Sequence, residues 1–273
     1  MSVTTEPETK EGGWGETIKV IVQALILAVL VRTFLYQPFN IPSGSMKSTL
    51  LVGDYLFVSK FSYGYSRFSL PWVFSDVPVH GRVLGSQPKR GDVVVFRQPN
   101  NTDVDFIKRV IGLPGDRIQT KHGVLFINGT AVKKEPVDAF VEQDRFGGEV
   151  KTRRYRETLP EGRSYLVLDA IEEGPGDNCP RPRASATMND CVALNGAASD
   201  SQEYVVPEGH YFMMGDNRDN SQDSRFPQVG YVPAENLVGR AEIIFFSIEE
   251  GAQAWQFWTW PWTIRWSRML DTL

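Results

Sequence analysis

The sequence predicts a mainly β protein: an antiparallel β body with a partly β inserted subdomain, preceded by one transmembrane helix. Three observations predict this class. One uncharged apolar run lies near the N-terminus, short runs with β periodicity and turns follow Pro38, and no long helical periodicity is present between Tyr36 and Ile248. The 24 glycines and 17 prolines among 273 residues also suit a turn-rich β protein.

The composition argues against several functional classes. Apolar residues make up 41% of the chain and charged residues 23%, which fits neither a disordered chain nor a polytopic membrane protein. The net charge of −4 disfavours a nucleic-acid binder that works by neutralising phosphates. The three histidines, His80, His122 and His210, lie far apart, so neither a histidine metal site nor a Ser-His-Asp triad is expected.

The N-terminal part divides into an acidic head, residues 1–17, and an apolar anchor, residues 18–36. The run Val20–Val31 carries no charge, and as a helix the apolar stretch covers roughly 27 Å, close to the hydrocarbon core of a bilayer. No small-x-small cleavage pattern follows Val31, so an uncleaved anchor is predicted. A helix lying in the membrane interface is the alternative.

The two cysteines bear on the compartment of the body. Cys179 and Cys191 lie in a loop-like stretch without a nearby histidine, which favours a disulfide over a zinc site. Two unpaired thiols remain the alternative. A disulfide would place the body on the oxidising side of the membrane, and Lys10 and Lys19 favour a cytoplasmic N-terminus.

The β body is expected to comprise residues 37–116 and 205–250, and the more polar inserted subdomain, with the cysteine pair, residues 117–204. The pair Asn128-Gly129 between apolar runs predicts a type I′ hairpin turn. The predicted strands are Asp92–Phe96, Asp105–Ile111, Val124–Val132, Tyr165–Ile171, Glu203–Val206, Tyr211–Met214 and Val238–Ile248.

The C-terminal segment, residues 251–273, is rich in tryptophan. Five of the seven tryptophans lie between Trp255 and Trp266, together with Arg265, and Arg268 follows. Such a segment predicts a surface that rests on the membrane interface. A tail packed against the domain is the alternative.

Ser45 is a candidate nucleophile because of the residues around it. The ring of Pro42 restricts the φ of that residue, and Gly44 can adopt φ values that other residues rarely take. Ser45 is therefore expected on a tight bend. An accessible hydroxyl, with the residue's own N–H turned toward the reacting carbonyl, is what a nucleophilic serine needs. An ordinary surface loop is the alternative.

Lys108 is the candidate base. Of the ten lysines it is the one that the pattern places inside a strand, with Phe106 and Val110 on its face. Apolar neighbours would desolvate the amine and lower its pKa from about 10.4, so that it accepts a hydroxyl proton near neutral pH. An edge-strand lysine that reaches water is the alternative.

A third cluster, Gly215–Arg225, holds three aspartates, two arginines, two asparagines and two serines. This density of short polar groups is typical of a loop that bonds to itself and orients its neighbours. A calcium loop is the alternative, but the spacing Asp219-x-Ser221-x-Asp223 lacks the following glycine and the bidentate glutamate. No metal is expected.

The three blocks, in this order after an N-terminal anchor, closely resemble the bacterial type I signal peptidases (leader peptidases). They read IPSGSM at 41–46, FIKRVIGLPGD at 106–116 and GDNRDNSQDSR at 215–225. The resemblance implies a membrane-anchored serine endopeptidase with a Ser–Lys dyad. It would remove signal peptides from exported preproteins after a small residue, in an Ala-X-Ala context.

The resemblance also implies the surroundings of such an enzyme. The chain would be a single-pass protein of the bacterial plasma membrane, with its N-terminus in the cytoplasm and its body on the periplasmic or outer side. Its partners would be preprotein signal peptides and membrane lipid, with no nucleic acid, metal or cofactor.

Roles carry over residue by residue. Ser45 matches the nucleophile that forms the acyl-enzyme, Lys108 the general base, Ser43 the hydroxyl that joins the Ser45 N–H in the oxyanion hole, and Ser221 the lysine-orienting serine. The remaining matches are the supporting pairs Arg109 with Asp216 and Asp223 with Arg225, and the substrate-pocket residues Phe39, Ile41, Pro42, Met46, Leu50 and Ile107.

The sequence departs from the family pattern at one position, and two other functions are alternatives. Ser48 stands where the family usually has proline, at a position that should shape the loop after the nucleophile. A self-cleaving Ser–Lys repressor would need a DNA-binding domain where this chain has its apolar run. A non-catalytic, membrane-tethered envelope scaffold would require an inactive dyad.

Overall fold

The computed structural model describes residues 14–69, 81–143, 148–169, 201–252 and 255–273. Cys179 and Cys191, most of the acidic head and the end of the predicted strand Tyr165–Ile171 lie outside the described residues. The proposed disulfide therefore stays a prediction.

The predicted apolar helix is confirmed, with shifted ends. Helix α1 runs over the 21 residues Trp14–Phe34, beginning before Ile18 and ending before Tyr36, which already pairs in a strand. Only Thr33 of this helix is buried, so the apolar side chains of α1 are exposed. By length and composition α1 is a candidate for crossing a membrane.

The predicted mainly β, antiparallel class is confirmed, because each pair of adjacent strands in the described residues runs antiparallel. The strands are β1 Tyr36–Asn40, β2 Asp54–Ser59, β3 Val93–Gln98, β4 Asn101–Gly112, β5 Arg117–Lys121, β6 Val124–Ile127, β7 Thr130–Ala131, β8 Lys133–Gln143, β9 Glu149–Thr158, β10 Ser164–Leu168, β11 Tyr204–Val205, β12 His210–Met214, β13 Val232–Pro233 and β14 Leu237–Ser247.

Three sheets result. The largest has seven strands in the order β1-β2-β14-β3-β4-β12-β13, and two smaller sheets have the orders β10-β9-β8 and β11-β5-β6-β7. The smaller sheets are built from chain between β4 and β12, as an insertion would be. The expected boundary at 204/205 cuts through β11, since both Tyr204 and Val205 pair with β5.

Local sequence explains why some of these elements form. The first four residues of β3, Val93–Phe96, are apolar and buried, which suits a strand in the middle of the large sheet. Asn128 and Gly129 join β6 to β7 with φ of 52° and 78°, so the predicted type I′ hairpin is confirmed. In contrast, β8 and β9 are largely charged, and mutual pairing rather than an apolar pattern defines them.

The large sheet brings together the three segments that the sequence analysis singled out. Strand β1 leads into the loop that carries Ser45, and β4 carries Lys108. Strand β12 pairs with the end of β4, Met214 opposite Arg109, and leads into Gly215–Arg225, the polar loop. Ile41, Met46 and Leu50 pack in one core cluster with Val93 and Val95 of β3 and with residues of β2 and β14, which seats the serine loop on the sheet.

The C-terminal segment has an inner and an outer side. Ile264 is buried and forms a bridge with Ile248, while Arg268 hydrogen-bonds the buried Asp54 at 2.5 Å. The packed-tail alternative thus holds for part of the segment. The aromatic side chains that remain exposed are Trp255, Phe257, Trp258, Trp260, Trp262 and Trp266.

Candidate active site

Ser45 lies in a 3₁₀ turn, Gly44–Met46, directly after β1. Its backbone is held by a residue that the sequence analysis did not single out. The Asn217 N–H donates to the Ser45 carbonyl at 3.1 Å, and its Nδ2 donates to the Gly44 carbonyl at 3.0 Å. The polar-loop motif contained the signal for Asn217, but sequence alone does not reveal which loop side chains reach the serine.

The side chains of Lys108 and Ser45 are in contact. A hydrogen bond of 2.7 Å joins Lys108 Nζ to Ser45 Oγ, and Nζ also donates to the Ile107 carbonyl at 2.9 Å. The lysine is 4% exposed. Burial lowers its pKa to about 8, and the nearby carboxylates of Asp223 and Asp216 only partly oppose this shift.

The expectation that Lys108 alone lies in a strand is wrong, because Lys121, Lys133, Lys134 and Lys151 do so too. These lysines lie in segments rich in polar and charged residues, where the apolar pattern of the sequence does not predict a strand. A further lysine, Lys60, is buried just after β2, and burial lowers its pKa to about 8 as well. Its Nζ donates to the Ser69 carbonyl at 2.6 Å, and among the described residues no hydroxyl takes the place that Ser45 has beside Lys108.

The two other serines of the predicted site take different positions. Ser43 is exposed, and its Oγ lies 3.5 Å from Ser45 Oγ, on the open side of the dyad. Ser221 is buried, and its Oγ donates to Asp223 at 2.7 Å, not to Lys108. A buried carboxylate is a strong acceptor for a hydroxyl, which accounts for this partner.

Gly215 allows the polar loop to approach the backbone of Ser45 closely. A Cβ on Gly215 would stand 2.5 Å from the Ser45 carbonyl oxygen and even nearer to Ser221 Oγ. Only glycine fits between the two serines.

Both expected ion pairs are present and buried. Arg109 Nε and NH2 donate to the two Asp216 oxygens at 2.8 and 2.6 Å. Arg225 donates to both Asp223 oxygens, at 2.8 and 2.9 Å, and Asp223 also accepts from the Gly215 N–H. Although burial raises the pKa of Asp223, Arg225 and these hydrogen bonds hold it below its usual value.

An open groove of about 530 Å³ runs past the dyad. Phe39, Ile41, Pro42 and Ile107 line it as expected. Met46 and Leu50 do not, which corrects that part of the prediction: both are fully buried in the core beneath the serine loop. The lining is completed by Asn40, Ser43, Gly44, Ser45, Val95, Val104, Asp105, Phe106, Lys108, Asn220 and Gln222.

The loop after the serine closes with a type II turn. Lys47 has φ −53° and ψ 146°, Ser48 has φ 75°, and the Thr49 N–H donates to the Met46 carbonyl at 3.1 Å. Proline cannot adopt a positive φ, so the departure from the family pattern at Ser48 accompanies a backbone that proline would not allow. Thr49 Oγ1 donates to Asp216 at 2.5 Å, which ties this turn to the polar loop.

Among the described residues, no group of three or more His, Cys, Asp or Glu side chains is arranged to hold a metal ion. Two of the three aspartates in the polar loop, Asp216 and Asp223, instead pair with arginines, as the two buried ion pairs show. The site therefore offers a hydroxyl, an amine of lowered pKa and an apolar groove.

Comparison with known proteins identifies the family. A family model described as signal peptidase, peptidase S26, matches residues 14–246. The protein named Signal peptidase I of Rickettsia conorii is 39% identical over 241 residues, 88% of this chain and 81% of that protein. The protein of the same name from Rickettsia typhi is 41% identical over 224 residues, 82% of this chain and 76% of that protein.

A solved structure also matches, the signal peptidase I of Enterococcus faecalis. It is 23% identical and covers 57% of this chain and 97% of its own, with a TM-score of 0.28. The assignment is carried by the family model and the curated relatives, which cover most of the chain. The chain belongs to the signal peptidase family, peptidase S26, and is a serine peptidase.

Proposed function

We propose that this protein is a membrane-anchored endopeptidase that removes N-terminal signal peptides from exported preproteins, cutting after a small residue in an Ala-X-Ala context. Family membership supports signal-peptide removal. The observation that carries the mechanism is the contact of 2.7 Å between Lys108 Nζ and Ser45 Oγ at a lysine only 4% exposed.

The chemistry follows from a neutral amine. Lys108 accepts the Ser45 proton while Oγ attacks the scissile carbonyl, and the protonated lysine then returns a proton to the leaving amine as the C–N bond breaks. Water hydrolyses the resulting acyl-enzyme with Lys108 again as base. Ser43 Oγ and the Ser45 N–H stabilise the oxyanion, and Ser221 orients the amine once its hydroxyl turns from Asp223 toward Nζ.

The groove supports the proposed specificity. A preprotein segment would lie extended between the Phe39–Pro42 side and β4, with its small side chains against Ile41 and Ile107. A shallow apolar wall close to Ser45 admits alanine and rejects larger side chains by steric clash. Met46 and Leu50 are not part of this wall, because neither lines the groove and both are fully buried.

Membrane attachment supports the choice of substrate. Only ten residues separate the end of the exposed apolar helix α1 from Ser45, and the exposed tryptophans of the C-terminal segment suit the lipid interface. We propose a cytoplasmic N-terminus and a body on the periplasmic or outer side of the plasma membrane, where a Cys179–Cys191 disulfide would form. Signal peptides emerge at that surface.

The test is cleavage of a preprotein by the detergent-solubilised full chain, followed by sequencing of the new N-terminus. We expect one cut after alanine by the wild type and none by Ser45→Ala or Lys108→Ala, whose circular dichroism matches the wild type. Normal processing by either variant would reject the dyad and leave the non-catalytic scaffold as the better account. A cut after a bulky residue would reject the specificity.

A further inference from the structure

Strand β9 of the three-stranded sheet β10-β9-β8, here called the inserted sheet, carries a fully buried carboxylate that the dyad chemistry does not use. Glu157 is 0% exposed. Arg218 NH1 and NH2 donate to its two oxygens at 2.7 and 2.6 Å, and the Tyr165 hydroxyl donates to Oε2 at 2.7 Å. Burial raises the pKa of Glu157, but Arg218 and Tyr165 more than offset this, so the carboxylate is ionised.

The partner of this carboxylate belongs to the polar loop. Arg218 follows Asn217, the residue that holds the Ser45 and Gly44 carbonyls. The Arg218 carbonyl in turn accepts from Arg225 NH2 at 2.9 Å, which joins it to the Asp223 pair. The bidentate contact with Glu157 therefore holds Arg218, the first residue of the 3₁₀ turn Arg218–Asn220, which links Asn217 to Arg225.

A second set of contacts joins the same small sheet to the polar loop. The Leu168 N–H on β10 donates to the Asp216 carbonyl at 2.8 Å. The Tyr165 ring, also on β10, lies under the Arg109 guanidinium at 4.3 Å. The inserted sheet thus contacts Arg109, the residue next to Lys108, as well as Asp216 and Arg218, the two neighbours of Asn217.

We propose that Glu157 is a positioning residue for peptide-bond cleavage, acting through Arg218 and Asn217 to hold Ser45 in line with Lys108, with Tyr165 as its second support. This inference rests on the proposed function. It gives the inserted sheet a part in the reaction beyond its own packing. It also predicts a loss in kcat rather than in substrate binding, because Glu157 does not line the groove.

The experiment compares matched isosteric variants of the full chain in detergent, using a peptide substrate with alanine at the cut. Glu157→Gln keeps the shape and removes the charge. Asp116→Asn is the control, since Asp116 is also a buried carboxylate paired with an arginine, Arg90 at 2.7 Å, but contacts neither the serine loop nor the polar loop. Wild type and Ser45→Ala in the same assay test the proposed function separately.

We expect Glu157→Gln to lower kcat roughly tenfold with KM within about twofold, and Asp116→Asn to lower the thermal midpoint with little change in kcat. The pH midpoint of kcat stays that of the wild type, because the charges that act on Lys108 are Asp223, Asp216 and Arg225. Tyr165→Phe, a milder change, should give a smaller loss in kcat of the same kind.

Several outcomes overturn the inference. An unchanged kcat in Glu157→Gln, with only a lower thermal midpoint, would make Glu157 structural. A raised KM alone would place it in substrate binding, and an equal loss of kcat in Asp116→Asn would show general destabilisation. If Glu157→Gln does not fold, Tyr165→Phe decides, and an unchanged kcat there rejects the proposal. An inactive wild type would reject the proposed function itself.

Discussion

Lys108 and Arg109 are consecutive residues on β4, and each is 4% exposed. Arg109 points to a carboxylate that it holds with two hydrogen bonds, and Asp216 more than offsets burial, so its pKa lies above the usual value. Lys108 points to a hydroxyl and a carbonyl, and burial lowers its pKa to about 8. Equal burial therefore gives a permanent cation on one side of the strand and a proton acceptor on the other, depending on the hydrogen-bond partner.

The same substitution at both positions should give opposite results on stability. Lys108→Met is expected to lower the cleavage rate by roughly 10³-fold or more, because no other base reaches Ser45 among the described residues. The drop in the Lys108 pKa from 10.5 to about 8 corresponds to a folding penalty of roughly 3 kcal/mol for the protonated amine. Lys108→Met removes this penalty, so the free energy of unfolding of the variant at pH 7, measured in urea, should equal or exceed that of the wild type.

The size of this stability difference depends on pH. Below pH 8 the folded and unfolded chains both carry the Lys108 proton, so the wild type bears the full penalty. Between pH 8 and 10.5 only the unfolded chain binds it, and the wild type regains stability as pH rises. A Lys108→Met protein several kcal/mol less stable than wild type at pH 7 would contradict the comparison.

Arg109→Met should destabilise the protein by about 3 to 5 kcal/mol, because Asp216 is left buried and unpaired. The loss should be seen as a lower midpoint in urea or heat, and activity falls with the folded fraction. Arg109 then serves the architecture more than the chemistry. A variant with reduced rate and an unchanged thermal midpoint would show the opposite.

Ser48 offers a smaller test in the loop after the nucleophile. At φ 75° a serine is strained, so Ser48→Gly should raise stability by about 0.5 to 1 kcal/mol. Ser48→Pro, which restores the residue usual in the family, should lower stability and rate, since the turn would have to change shape. A Ser48→Pro protein with wild-type stability would show that the loop accepts another backbone.

Lys60 provides the control for lowered pKa without a nucleophile. Its pKa falls to about 8 as that of Lys108 does, but its amine binds the Ser69 carbonyl. Lys60→Met should therefore change kcat by less than about twofold under conditions where it is folded. A loss comparable to that of Lys108→Met would mean that lowered pKa alone, and not contact with Ser45, marks the base.

The sequence predicted the parts of the site that short segments encode. Local spacing placed Ser45 on a bend and Lys108 on a strand face, and the family resemblance supplied their roles. The sequence did not reveal Glu157. This residue lies in a strand rich in charged residues, a pattern typical of a solvent-exposed strand. Glu157 becomes buried only when β9 and β10 pack on the polar loop.

Other residues could not be placed from sequence for related reasons. Met46 and Leu50 read as pocket lining by resemblance, but whether an apolar side chain faces a groove or the core depends on how the loop seats on the sheet. The Ser221 hydroxyl donates to Asp223, a partner that the sequence alone does not identify. Long-range pairing decides these points.

The most direct test of the account is the pH dependence of acylation, measured as the single-turnover cleavage rate of an alanine-containing peptide by the full chain. We expect the rate to rise with pH to a plateau with a midpoint near 8, as the buried lysine amine becomes neutral. A rate that keeps rising toward the pKa of a free lysine, about 10.4, or that persists in Lys108→Met, would contradict it.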